Sequence, residues 1–267
     1  MTGEVPPRGL RRGVPKGLTL RALVPNAITA AALCAGLTGI RFAITGDFRM
    51  AVAAVIIAGV LDGIDGRIAR LLKAQSHFGA ELDSLADNVS FGVAPALVLF
   101  MWSLQDVPRF GWFAALAFAV CMALRLARYN ARIDLPEEPR KQAGFLTGVP
   151  APVGAGLAFL PMYLSFVTER PEFSDPRLVG PWLVAIAFLA ISSLPTLSWA
   201  KLRPRRSLRL GMIGVAGLLV AALLTEPWLA LIAICAIYLT LIPVGMIAYA
   251  RVKRRRAARQ MPPGPDA

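Results

Sequence analysis

Eight stretches of roughly twenty mainly apolar residues follow one another along this chain. They lie at about 23–45, 49–72, 79–103, 111–131, 149–168, 180–199, 208–224 and 228–250. A soluble domain of 267 residues cannot bury that much apolar surface. Hydrophobic residues make up 56% of the chain and charged residues 17%. The mean hydropathy is +0.59. Disorder is excluded by this composition, and a bilayer becomes the second solvent. Backbone polar groups must then be satisfied within helices, so the expected fold is an all-α integral membrane protein.

The net charge of +13 would suggest nucleic acid in a soluble protein. Here the basic residues fall between apolar runs, so no nucleic-acid partner is expected. With the N-terminus in the cytoplasm, 24 Lys and Arg lie on the inner side and 5 on the outer. The outer five are Arg41, Arg49, Arg109, Arg170 and Arg177. That asymmetry places both termini inside and requires an even number of spans. Cys34, Cys121 and Cys235 each sit alone in an apolar run, so neither a disulfide framework nor a metal-binding cysteine spacing is present.

Ionisable groups in membrane helices cost several kcal/mol and normally mark function. The second run ends Leu61-Asp62-Gly63-Ile64-Asp65-Gly66-Arg67-Ile68-Ala69-Arg70, and the third opens Gly79-Ala80-Glu81-Leu82-Asp83-Ser84-Leu85-Ala86-Asp87. Asp62, Asp65 and Ala69 share one helix face, as do Asp83 and Asp87 on the next helix. A short turn makes the two helices antiparallel neighbours, so all four carboxylates stand at one depth near the inner surface. Grouped carboxylates repel unless cations neutralise them. Oxygen ligands without His or Cys favour Mg²⁺ or Mn²⁺, with Ca²⁺ as a further option. Two such ions balance four negative charges and can clamp a diphosphate. Gly63, Gly66 and Ala69 clear the helix face for a bulky polar ligand, and Arg70 can bind phosphate. His77 is assigned to an exposed turn without a role, and Glu81 is read as a helix-start charge.

The pattern Asp62-x-x-Asp65-Gly66-x-x-Ala69-Arg70, eight residues, then Gly79-x-x-x-Asp83-x-x-x-Asp87 resembles the signature of the CDP-alcohol phosphotransferases. Ser84 to Ala96, Leu124 to Asn130 and Phe145 to Pro152 resemble the bacterial and archaeal serine-using members, and Val24-Pro25-Asn26 is shared more widely. The resemblance implies a six-helix catalytic core with two additional C-terminal helices, and a homodimer. It implies that Asp62, Asp65, Asp83 and Asp87 hold two divalent ions and that Asp87 is also the base. Asp65, Gly66, Ala69, Arg70, Gly79 and Asp83 would face the CDP part of CDP-diacylglycerol. The implied reaction moves the phosphatidyl group to L-serine and releases CMP at the cytoplasmic face of a bacterial inner membrane.

Serine carries a carboxylate, which needs a cation. Arg125 and Arg128 lie three residues apart at the inner end of the fourth helix, and at least one is expected to bind it. Asn26, Ser84, Asn88, Ser90 and Tyr129 are further polar candidates for orienting substrate. Glycerol-3-phosphate, an inositol phosphate or choline could be acceptors on the same signature. A cation transporter is the rival from another class. The expected division is a basic cytoplasmic segment at 1–22, the catalytic core at 23–200, two additional spans at 201–250 and a basic disordered tail at 251–267.

Overall fold

The computed structural model describes residues 20–131, 145–192, 194–197 and 206–260. Eight helices account for nearly all of them. They are α1 (Leu20–Ile44), α2 (Phe48–Leu71), α3 (His77–Trp102), α4 (Pro108–Asn130), α5 (Ala151–Thr168), α6 (Pro176–Ile191), α7 (Arg206–Thr225) and α8 (Pro227–Gln260). Residues 132–144 and 198–205, with Arg132, Arg140, Lys141, Lys201, Arg203 and Arg205, fall outside the described residues, as do 1–19, 193 and 261–267.

Five of these helices contain spans long and apolar enough to cross a bilayer: Leu23–Ile44, His77–Trp102, Pro108–Asn130, Ala151–Thr168 and Pro227–Ile247. Pro176–Ile191 and Gly211–Thr225 are apolar but shorter. At 24 residues, α2 is long enough, but its last ten residues carry Asp62, Asp65, Arg67 and Arg70. Sequence and structure therefore agree on a membrane protein built of helices.

The bundle is built from tight turns. Between α1 and α2, Asp47 caps α2 by accepting a hydrogen bond from the Met50 amide at 3.1 Å. The two helices approach closely because Gly39 has no side chain: a Cβ there would stand 2.9 Å from the Ala51 carbonyl oxygen. α3 packs against α1 in the same way, where a Cβ on Gly36 would stand 2.9 Å from Ser90 Cα. The core lies among α2 to α6 and includes Phe91, Phe118, Phe159 and Tyr163. α6 is tied to α5 by Trp182 Nε1, which donates to the Leu157 carbonyl at 2.9 Å. Much of α7 is exposed, with Ile213, Val215, Leu218 and Leu224 turned outward, as expected of a surface solvated by lipid.

Three local features depart from the sequence reading. First, α3 widens into a π-helical turn at Asn88–Val93. Pro95 follows after Ala94; it has no amide hydrogen for the Phe91 carbonyl, and its ring crowds that carbonyl, so the wider turn relieves both. Second, α6 ends at Ile191 rather than at 199. Pro195 disfavours helix at Leu194, and Pro195–Leu197 instead pairs antiparallel with Phe145–Thr147. This pair is the one sheet among the described residues. Third, residues 251–260, expected as part of a disordered tail, continue α8 to Gln260. Arg, Lys and Ala are strong helix formers, so nothing local stops the helix at the end of its apolar part.

Candidate metal and substrate site

The end of α2 and the start of α3 are held together by a turn in which Lys73 takes a positive φ of 50°. Ser76 then caps α3, accepting a hydrogen bond from the Gly79 amide at 3.0 Å. This places Asp83 and Asp87 of α3 opposite Asp62 of α2. Carboxylate oxygens of Asp62, Asp83 and Asp87 all lie within 4.8 Å of one another. The three residues are half-buried. Three oxygen ligands at this spacing, without a histidine or cysteine among them, suit a hard divalent cation.

Asp65, expected as a fourth ligand, lies outside that 4.8 Å cluster, one turn along α2. It is 3% exposed, and its Oδ2 accepts a hydrogen bond from Thr29 Oγ1 on α1 at 2.6 Å. The Pro25 carbonyl lies farther from the same hydroxyl, at 3.1 Å. A hydroxyl has one proton, and the shorter, charge-assisted partner holds it better. Thr29 was not among the sequence candidates. Its signal was a hydroxyl one helical turn after Val24-Pro25-Asn26, on the helix α2 packs against.

The α2 face beyond the trio is open. A Cβ at Gly63 or Gly66 would meet nothing within 4 Å. Ala69 is half-buried and Arg70 exposed, its Nε donating to the Gly66 carbonyl at 2.9 Å. Gly79 is needed for another reason: a Cβ there would come to 2.8 Å from Asn26 Oδ1 and 3.1 Å from Ser76 Oγ. Asn26 therefore packs on the Gly79 side, and its buried Nδ2 has no hydrogen-bond partner among the described residues.

A cavity of about 310 Å³ opens beside the trio, between α3, α4 and the start of α5. Asp83, Asp87, Ser84, Arg125 and Tyr129 line it, with His77, Glu81, Asn130, Pro150 and Pro152. Arg125 is half-buried, and its Nε has no hydrogen-bond partner among the described residues. Ser84 is engaged by the protein: it donates to the Ala80 carbonyl at 2.9 Å and accepts from Asn130 Nδ2 at 2.7 Å.

The structure thus separates the serine-site candidates. Arg125, Ser84 and Tyr129 face the cavity. Asn26, Asn88, Ser90 and Arg128 do not line it. Arg128 donates to the Ser192 carbonyl at 3.1 Å and so ties α4 to the end of α6. Ser90 is 1% exposed and reaches the Ala32 carbonyl on α1 at 3.4 Å. Asn88 sits in the π turn with its Oδ1 buried. His77 and Glu81, read as bystanders, stand at the cavity wall because the first turn of α3 faces it.

Comparison with known proteins places this geometry in context. The sequence profile described as CDP-alcohol phosphatidyltransferase matches residues 22–193. A second, described as CDP-alcohol phosphatidyltransferase 2, matches residues 207–243, within α7 and α8. The chain is 38% identical over 240 residues to a CDP-diacylglycerol–serine O-phosphatidyltransferase of Mycobacterium tuberculosis, covering 90% of this chain and 82% of that protein. Proteins of the same name from Helicobacter pylori and Bacillus subtilis are 34% and 32% identical over 172 and 171 residues. Each of those matches covers 64% of this chain, and 70% and 88% of the relative.

Proposed function

This chain belongs to the CDP-alcohol phosphatidyltransferase family, and we propose that it transfers the phosphatidyl group of CDP-diacylglycerol to the hydroxyl of L-serine, releasing CMP. The observation that carries the reading is a carboxylate trio of which two members, Asp83 and Asp87, line one cavity with Arg125. Asp62, Asp83 and Asp87 would hold a divalent ion, Mg²⁺ or Mn²⁺. With Asp65 one turn along α2, four carboxylates balance two such ions. Bound metal supplies electrostatic stabilisation of the charge that develops on the phosphate oxygens.

The cytidine diphosphate lies along the open α2 face at Gly66, Ala69 and Arg70, bounded by Asp65, Gly79 and Asp83. Asn26 belongs to that side, because it packs on Gly79. Serine enters the cavity with its carboxylate on Arg125. Asp87 takes the hydroxyl proton as the serine oxygen bonds to the phosphorus that carries diacylglycerol. The bond from that phosphorus to the oxygen bridging to CMP breaks, and CMP leaves with the electron pair.

Arg125 is the one Arg or Lys lining the cavity among the described residues. A zwitterionic amino acid needs one cation for its carboxylate, whereas a phosphate-bearing acceptor needs more. Serine is therefore favoured over glycerol-3-phosphate or an inositol phosphate. The basic-residue asymmetry supports a cytoplasmic side for this end of the bundle and for both termini. A bacterial inner membrane and a homodimer are part of the same reading. The test is CMP release from CDP-diacylglycerol by purified protein with Mn²⁺ or Mg²⁺, comparing serine, glycerol-3-phosphate, inositol phosphate and choline. Serine-dependent release with phosphatidylserine as product is expected. Release with another acceptor alone would overturn the serine assignment.

A further inference from the structure

A second cavity, of about 290 Å³, lies between α2, α5 and α8. Pro152 lines both cavities, so the apolar space adjoins the polar one at that residue. From Pro152 it follows α5 past Gly156 and Phe159 to Tyr163, with Val60 and Gly59 of α2 on one side and Cys235 and Ile234 of α8 on the other. Eleven residues of helix from Pro152 to Tyr163 give a length of about 16 Å at about 1.5 Å per residue. With carbon–carbon bonds of about 1.5 Å in a tetrahedral zigzag, that length takes on the order of a dozen methylenes.

The far end is closed. Tyr163 is fully buried and stacks on Trp228 of α8 with ring centroids 6.3 Å apart. Phe166 also meets Trp228, with ring centroids 4.9 Å apart, edge to face. Arg49 covers Phe166 from the outer end of α2, its guanidinium 5.5 Å from the ring centre. The flank is open: Val60 is 57% exposed and Ile234 37%, so lipid can enter sideways between α2 and α8. The floor is bare, because a Cβ on Gly156 would meet nothing within 4 Å.

We infer that this slot seats one acyl chain of the lipid donor, that Gly156 keeps it open, and that Tyr163, backed by Trp228, is the end stop limiting chain length. The inference rests on the proposed phosphatidyl transfer, which places the donor phosphate beside Asp87 and hence its acyl chains next to Pro152. It also gives α8, outside the six-helix core, a part in the donor site. Because the chain comes from lipid, an equally apolar medium, the slot selects by shape and packing rather than by burial from water.

The test compares CDP-dipalmitoylglycerol with CDP-dihexanoylglycerol as donors, with serine as acceptor, in wild-type protein and in Gly156→Leu. The leucine fills the slot about 6 Å from Pro152, where only a short chain fits. Overpacking of this kind lowers the ratio of kcat/KM for the long donor over the short one by roughly tenfold or more. An unchanged ratio would overturn the inference. Should Gly156→Leu fail to fold, wild-type protein is photolabelled with a donor carrying a diazirine at its acyl terminus. Label on peptides spanning Phe159–Tyr163 or Trp228–Leu231 is expected, and label confined to α7 would overturn the slot. Absence of serine-dependent CMP release from either donor in wild-type protein would instead count against the phosphatidyl-transfer reading, while the photolabel still tests the slot.

Discussion

Replacing Thr29 by Val tests how Asp65 is held. The hydroxyl donates to Asp65 Oδ2 at 2.6 Å, and both side chains are buried, at 5% and 3% exposure. Valine keeps the branched shape and removes the donor. A hydrogen bond to a charged group contributes about 1.5–3 kcal/mol, and leaving its acceptor buried and unpaired costs a similar amount. About 2 kcal/mol in a chain of this size corresponds to a fall in Tm of roughly 4–8 °C. The assay is thermal unfolding in detergent micelles, run on Thr29→Val, Thr29→Ser and the double variant with Asp65→Asn. Thr29→Ser retains the donor and should stay within about a third of the Val effect. The cycle with Asp65→Asn should show coupling of about 1 kcal/mol or more. A Tm for Thr29→Val equal to wild type, with no coupling to Asp65, would refute the claim that this bond holds Asp65 in place.

Arg125→Ala should raise KM for serine by roughly tenfold or more with little change in KM for CDP-diacylglycerol, because only Arg125 of the pair lines the cavity. Arg128→Ala should lower Tm and leave KM for serine near wild type, because its guanidinium holds the Ser192 carbonyl; steady-state kinetics and thermal unfolding on both variants decide the pair. Tyr163→Phe should leave Tm unchanged or raise it by a few degrees, since the buried hydroxyl has no hydrogen-bond partner among the described residues and its removal gives up no bond.

Much of the site was legible because helical periodicity converts spacing into direction. Asp62 on one helix and Asp83 and Asp87 on the next, joined by a short turn, had to meet. The fate of Asp65 was not legible, because its partner lies 36 residues away and depends on how α1 packs. Arg125 and Arg128 differ by about 60° around α4, too little for periodicity to decide which faces the cavity. The contact between Arg128 and Ser192 decided it, and that contact joins segments 64 residues apart. The π turn at Asn88–Val93 escaped because it is a response to Pro95 within an otherwise regular apolar pattern. The end of α6 was misplaced because apolar residues continue past Ile191, and Pro195 carried more weight than hydropathy. The tail helix was missed for the opposite reason: polarity suggested disorder where helix propensity carried α8 onward.

The central claim is that Asp62, Asp83 and Asp87 form a divalent-ion centre on which phosphatidyl transfer depends. Its most direct test is Mn²⁺ titration followed by electron paramagnetic resonance, with serine-dependent CMP release measured on the same samples. Wild-type protein and the Asp62→Asn, Asp83→Asn and Asp87→Asn variants are compared. The account predicts saturable binding in wild type, binding weakened in each variant, and CMP release lowered by roughly a hundredfold or more. Folded variants that bind Mn²⁺ and release CMP like wild type would contradict it.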